Sequence, residues 1–383
     1  MKKILLILAA SAGAVLGGCK TSGKPEAARV KFKEFPIGVY SAVVCDSDMK
    51  AIRDAGFNMV HTYSSSDKDY DTLLESARRN GLKVMFNLDR KLVTGLDGVE
   101  KMRVTVRKYK EHPALGFWYL YDEPAGKITP DVLRPFYKML KEETPDIPVA
   151  LVNCWDETWD RYSDVLDIQM VDLYPVRDQK FPEAPIQQFT TLVKEAVALG
   201  KPVMAVPQLM SWKSFSHQLK GYQAELFRYP NVAELRYMMF GSMTYGVCGF
   251  FGYSYHHAMR TGGDSGWWSR DCGKVFMEVR DFAAAVKEPS EPVIFRRAGD
   301  SNQRAAYWPG KDGGFLVLVN AWPLENPRPG CWLEGYFDKD YELIPWGNTR
   351  KVTASIINNR IKIDGKAQPW EVFIWKMKEK ERK

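Results

Sequence analysis

The chain has 383 residues, a formal charge of +7, 13% aromatic residues and twelve tryptophans. Apart from the short Lys376–Lys383 tail no basic block stands out, so the charge balance makes no case for nucleic acid as a partner. The aromatic content suits a protein that stacks on sugar rings, although a packed core also consumes such residues.

The N-terminus has Lys2 and Lys3, an apolar stretch from Ile4 to Leu16, and then Gly17-Gly18-Cys19. A basic start, a short apolar run too brief to span a bilayer, and small residues at a cleavage point read as a signal peptide over 1–18. Leu16-Gly17-Gly18-Cys19 resembles a bacterial lipobox, which implies lipidation of Cys19 and a cell-envelope, lipid-anchored location. Loss of the leader takes the charge from +7 to +5 (7 − 2). Residues 19–34 are small, polar and charged, as expected of a tether. Cys45, Cys154, Cys248, Cys272 and Cys331 then remain; they show no metal-type spacing and no disulfide framework is expected.

Over residues 35–288 apolar runs alternate with amphipathic helical stretches. The expected strands are Pro36–Tyr40, Asn58–Tyr63, Lys83–Leu88, Leu115–Tyr121, Pro148–Asn153, Asp167–Leu173, Pro202–Val206 and Cys248–Tyr253. Helices are expected at Asp48–Ala55, Tyr70–Asn80, Gly98–Glu111, Pro130–Glu143, Ile186–Leu199, Val232–Tyr245 and Val275–Lys287, with a weaker one around Thr158–Val165. Glycines at Gly56, Gly81, Gly200 and Gly246 fit helix C-termini. Eight strand–helix units in about 250 residues match an α/β fold of the (β/α)8 TIM-barrel type. No glycine-rich phosphate fingerprint follows an early strand, which argues against a doubly wound open sheet. Residues 289–383 hold short β-rich segments such as Gly314–Asn320, Tyr341–Ile344 and Arg360–Ile363, and read as a small all-β sandwich packed on the barrel.

The most informative segment is Gly116-Phe117-Trp118-Tyr119-Leu120-Tyr121-Asp122-Glu123-Pro124. It reads as a buried strand that stops at two carboxylates, because Pro124 has no N–H and biases Glu123 towards an extended backbone. Charged groups are rarely placed at a buried strand end for packing, and active sites of parallel barrels lie at the C-terminal strand ends. The lesser alternative for Asp122 is a helix N-cap. The other strand ends offer His61 and Tyr63, Asp89, Trp155, Asp172 with Tyr174, Gln208 with Trp212, and Tyr253 with Tyr255. His61 reads as a hydrogen-bonded barrel histidine, and His256-His257 would point opposite ways on a strand, so no metal and no cofactor is expected. Asp264 belongs to a loop after the eighth strand, with Trp267 and Trp268 as a cleft wall or as pins for that loop. This set suits glycosidic-bond cleavage, which needs one carboxylic acid and a second group to attack or stabilise the sugar cation. A partly apolar pocket around Glu123 would raise its pKa towards the acid role.

His112-Pro113-Ala114-Leu115 through Asp122-Glu123-Pro124 resembles the fourth-strand segment of clan A-type glycoside hydrolases. Asp167-Ile168 through Asp172-Leu173-Tyr174-Pro175 is similar to the sixth strand of that group, and Lys201-Pro202-Val203, Val206-Pro207-Gln208 and Gly246-Val247-Cys248-Gly249-Phe250-Phe251-Gly252-Tyr253 resemble its strands seven and eight. The resemblance covers roughly Pro36 to Lys287 and implies Glu123 as general acid/base, with an oligo- or polysaccharide as ligand. One position departs: Gln208 stands where the group has a strand-seven glutamate nucleophile, and an amide cannot attack as a carboxylate does. Three readings remain. Another carboxylate, from Asp172, Asp46 or Asp89, supplies the second group; or Asp122 orients a substrate acetamide as in hexosaminidase-like enzymes; or the chain is a catalytically inactive carbohydrate-binding lipoprotein of a glycan-uptake system.

Overall fold

The computed structural model describes residues 30, 32–42, 44–154, 158–177, 186–218, 224–260, 263–294, 303–310, 313–322, 324–326, 330–332, 337 and 339–380. The leader, Cys19 and Trp155 lie outside these residues. All eight expected barrel strands form: β1 (Ile37–Val39), β2 (Met59–Val60), β3 (Lys83–Asn87), β4 (Leu115–Asp122), β5 (Val149–Val152), β6 (Ile168–Asp172), β7 (Val203–Val206) and β8 (Gly249–Gly252). They close in sequence order, every neighbouring pair parallel, with β8 returning to β1. The helices between them are α1 (Asp46–Asp54), α2 (Asp67–Arg79), α3 (Gly98–Tyr109), α4 (Pro130–Glu143), α5 (Trp159–Tyr162), α6 (Ile186–Ala198) and α7 (Val232–Met243). Beyond β8 come α8 (Tyr255–Met259), α9 (Ser265–Trp267) and α10 (Gly273–Ala285). Among the described residues no helix is long and apolar enough to cross a membrane.

Strand alternation separates two layers of packing. Trp118, Leu120, Leu151 and Val171 join the core between strands and helices, while Phe117, Tyr119, Met170 and Phe251 fill the barrel interior. Gly38 faces that interior, and a Cβ there would lie 2.1 Å from the buried Phe251 ring. Gly38→Ala is therefore expected to destabilise the barrel by ~1–3 kcal/mol through overpacking, read as a lower urea midpoint. Unchanged unfolding would contradict this packing.

The C-terminal region is an antiparallel sheet in the order β12-β15-β14-β13-β16-β11-β10-β9. Its strands are β9 (Val293–Ile294), β10 (Gln303–Trp308), β11 (Phe315–Asn320), β12 (Gly330–Trp332), β13 (Tyr341–Pro345), β14 (Ala354–Ile357), β15 (Arg360–Ile363) and β16 (Val372–Glu379). One face, with Leu316, Leu318, Phe373 and Trp375, encloses the small domain's own core. The other, with Val317, Val319, Val372 and Ile374, shares the barrel core. α7 lies between barrel and sheet, which explains why it is buried on every side, from Glu234 to Met243. Two cations, Arg236 buried and Arg304 half-buried, fasten this junction. Arg236 pairs with Glu278 at 2.9 Å and donates to the Val372 carbonyl at 2.8 Å, and Glu278 also accepts from both nitrogens of Asn348 at 2.8 Å. Arg304 lies 3.8 Å from the Tyr245 ring and donates to Thr244 Oγ1 at 2.7 Å.

Candidate active site

The site begins with an irregularity in β4. Tyr119 pairs with Ala150, but Tyr121 pairs with Leu151 and Asp122 with Val152, so Leu120 is an extra residue in a bulge. The bulge leaves Leu120 and Tyr121 both against the outer core and turns Asp122 into the barrel, where Tyr119 donates to it at 3.0 Å. Unbroken alternation would have pointed Asp122 outwards. The next residue is not extended as Pro124 suggested: Glu123 has φ 47°, a left-handed conformation unfavourable for a side chain with a Cβ. Its N–H still donates to the Val152 carbonyl at 3.2 Å, so the unusual turn is held by the sheet.

That turn brings a Glu123 oxygen, Cys154 Sγ and an Asp172 oxygen within 4.8 Å of one another. The three side chains extend the ends of β4, β5 and β6. They differ sharply in exposure. The Glu123 side chain is 38% exposed and lies 3.6 Å from Lys127 Nζ, so the expected apolar pocket around it is absent. Asp172 is 5% exposed; Tyr174 donates to its Oδ2 at 3.1 Å, and Oδ1 has no partner. Burial, followed by the charges of Glu123 and Asp122, holds the Asp172 carboxyl well above the usual carboxylate range and so favours its protonated form. Asp122 is raised too, first by burial and then by Glu123, against the pull of its tyrosine donors. Cys154 is pushed up to about 12 by burial and then by Asp172 and Glu123. Proximity of like charges and low solvent access thus favour retention of protons here.

Aromatic rings surround the acids. Tyr40 touches the rings of His61, Tyr63, Tyr119 and Tyr253 at 4.8–6.1 Å. Tyr253 stacks on Tyr174 at 5.2 Å, and Trp212 continues the wall, its indole N–H donating to the Tyr174 carbonyl at 3.1 Å. Tyr63 is 40% exposed and offers a reachable face. His61 is fully buried, and neither ring nitrogen has a hydrogen-bond partner, contrary to the bonded histidine expected. Burial depresses it to about 3, so it stays neutral above that pH. Asn153 is likewise buried with both side-chain polar atoms unpartnered. Unsatisfied buried groups cost stability and are retained where a ligand or water completes them.

Several expected participants lie elsewhere. Tyr255 starts α8, is fully buried among the outer core, and donates its hydroxyl to Asp48. It therefore has no face for a sugar. Gln208 is fully buried, its carbonyl accepting from Val176 N at 2.8 Å and its amide donating to the Val176 and Met210 carbonyls at 2.7 and 3.0 Å. Its polar atoms are committed to backbone, so it is a clamp between strand ends. Asp89 caps a 3-10 turn at Arg90–Thr94, accepting from Lys91 N at 3.0 Å, and Asp46 is held by Arg79 at 2.9 Å, leaving Asp172 as the second carboxylate near Glu123. His256 and His257 lie on α8 instead of a strand. Trp267 donates to the Pro230 carbonyl at 2.8 Å and Trp268 stacks on Phe57, so both pin the loop.

Tyr40, Lys127 and Cys154 escaped the sequence reading. Tyr40 and Cys154 share inward parity with Gly38 and Val152, a signal that was available once the strands were placed. A separate cleft of about 1020 Å3, lined by Phe32, Lys33, Pro36, Lys201 and Arg280, opens on the opposite face of the barrel.

No family model matches the sequence, and no curated protein matches it. Solved structures do. The chain is similar to a glycoside hydrolase family 5 protein from Bacteroides vulgatus (TM-score 0.61, 14% identity, 89% of each chain). It is also similar to an α-amylase from Geobacillus thermoleovorans complexed with acarbose (0.56, 9%, 88% of this chain and 92% of that one). A GH30 endoxylanase from Clostridium papyrosolvens gives 0.52 at 11% identity, over 92% and 98%. At these identities the likeness is one of fold alone.

Proposed function

We propose that this chain is a glycoside hydrolase that works through Glu123 and Asp172. The observation that carries the reading is the pairing itself: two carboxylates within 4.8 Å, one reachable from solvent and one buried, where its neutral form is favoured, beneath aromatic rings. One proton shared by two carboxylates is the stoichiometry the reaction requires. Passed from Asp172 to Glu123, it makes Glu123 the acid that protonates the departing oxygen and leaves Asp172 a carboxylate facing the anomeric carbon. Water, deprotonated by Glu123, then releases the sugar and restores the starting protonation. Asp122, held by Tyr119, orients the substrate or its acetamide, and Tyr63, Tyr174, Trp212 and Tyr253 supply stacking faces. The short separation favours retention, for which carboxyl groups stand ~5–5.5 Å apart, over inversion at ~6.5–9.5 Å. A lipid at Cys19 would hold this activity at the cell envelope.

A second reading, a carbohydrate-binding lipoprotein without turnover, is favoured by the absence of a carboxylate at Gln208. Chromogenic glycosides, 2-acetamido sugars among them, separate the two. Aglycone release with the anomeric configuration preserved by proton NMR is expected. Saturable glycan binding with no release from any substrate would establish the second reading, and absence of both would remove the glycan assignment.

A further inference from the structure

We propose that Glu123, Cys154 and Asp172 bind one divalent cation of the zinc class, and that this cation excludes substrate from the carboxylate pair. The exclusion rests on the glycosidase reading; the binding does not. One donor atom from each residue already lies within 4.8 Å of the other two. Asp172 is 95% withdrawn from solvent, on its 5% exposure, yet its Oδ1 has no hydrogen-bond partner, so a buried acceptor stands unused inside the cluster. Cys154 is in no disulfide. Asp172 ends β6, and Glu123 and Cys154 follow closely on the ends of the adjacent strands β4 and β5.

The donor set selects the metal. Magnesium and calcium take oxygen ligands in six or more positions, whereas one sulfur with two carboxylate oxygens suits a borderline-soft ion in four-coordination. Zinc ligands ~2.0–2.3 Å from the ion stand roughly 3.5 Å apart in a tetrahedron. A side-chain closure of about 1 Å brings the present spacing to that value. Three protein ligands leave a fourth position for water. Lys127, 3.6 Å from Glu123, offsets part of the excess negative charge. With the ion in place, neither Glu123 nor Asp172 can exchange a proton with a glycosidic oxygen.

The test uses the full chain, reduced and stripped with chelator, titrated calorimetrically with zinc chloride and followed spectroscopically with cobalt(II). The wild type is expected to bind one equivalent, and cobalt to give an intense thiolate-to-metal absorption. Cys154→Ser should abolish that band, and both it and Asp172→Asn should weaken zinc by ~10–100-fold or more. The near-isosteric Asp172→Asn keeps the comparison should Cys154→Ser fail to fold. Absence of binding, affinity unchanged by both substitutions, or magnesium bound more tightly than zinc would overturn the proposal. Because zinc is read without sugar, silence towards every glycoside leaves this result standing, and a failed zinc titration leaves the glycosidase reading untouched.

Discussion

Asp172→Asn is expected to suppress turnover by about 10²–10⁴-fold while making the protein more stable at neutral pH. The two effects share one cause. Asp172 is buried beside two other carboxylates, which raises its folded-state pKa above the unfolded value. The native state then binds more protons than the unfolded state between those values, so stability falls as pH rises through that window. An amide of the same shape has no charge to suppress. It still accepts from the Tyr174 hydroxyl, and its NH2 can donate towards Glu123. Removing a buried carboxyl with an unused oxygen should return ~1–3 kcal/mol at pH 8 and nothing near pH 4. Calorimetric melting of both forms from pH 4 to pH 8 measures the difference directly. Glu123→Gln provides the contrast, with a similar loss of turnover and a stability change within ~0.5 kcal/mol because that side chain is 38% exposed. A variant at Asp172 no more stable at pH 8 than at pH 4 would refute the protonation argument.

Glu278→Ala should cost ~3–5 kcal/mol, the largest stability loss expected of any single change described. The substitution leaves Arg236 charged, 6% exposed and without its carboxylate, and removes the acceptor of both Asn348 nitrogens. Since Arg236 also reaches Val372, the junction between barrel and sheet loosens on both sides of α7. Urea unfolding should show a much lower midpoint. Replacing Arg236 and Glu278 together with apolar residues of similar volume should recover most of the loss, because a buried ion pair is costly to form as well as to break. Equal damage from the single and double changes would show that the pair is not the source.

The barrel could be read from the chain because buried parallel strands are nearly continuous apolar runs and several of the helices end on glycine. Gln303–Trp308 was missed as β10: Arg304, Ala305 and Ala306 have weak strand preference, and only pairing with β11 and β9 makes the segment extended. Side-chain direction was harder still. Asp122 faces inwards only because of the bulge at Leu120, and a single inserted residue leaves no mark in an aromatic run. Glu123 adopts its left-handed turn against the preference that Pro124 imposes, since the Val152 carbonyl and the sheet override it. Gln208 follows β7 as expected, whereas Tyr255 starts α8, and both are claimed by partners distant in sequence, Val176 and Asp48. Strand order thus followed from local pattern, whereas the distribution of protons and contacts among the mouth residues depended on tertiary packing.

Val30 and Phe32 pack against the interior of the barrel, with the Phe32 ring 6.0 Å from Phe117. These residues line the cleft on the face away from Glu123. Val30, the first described residue, therefore lies on the underside of the barrel, and a chain fastened to a surface through residues before it would stand with the candidate site turned outwards. Such a posture would give bulky polymers a clear approach, and would let the fastening be lengthened or shortened without disturbing the chemistry above it.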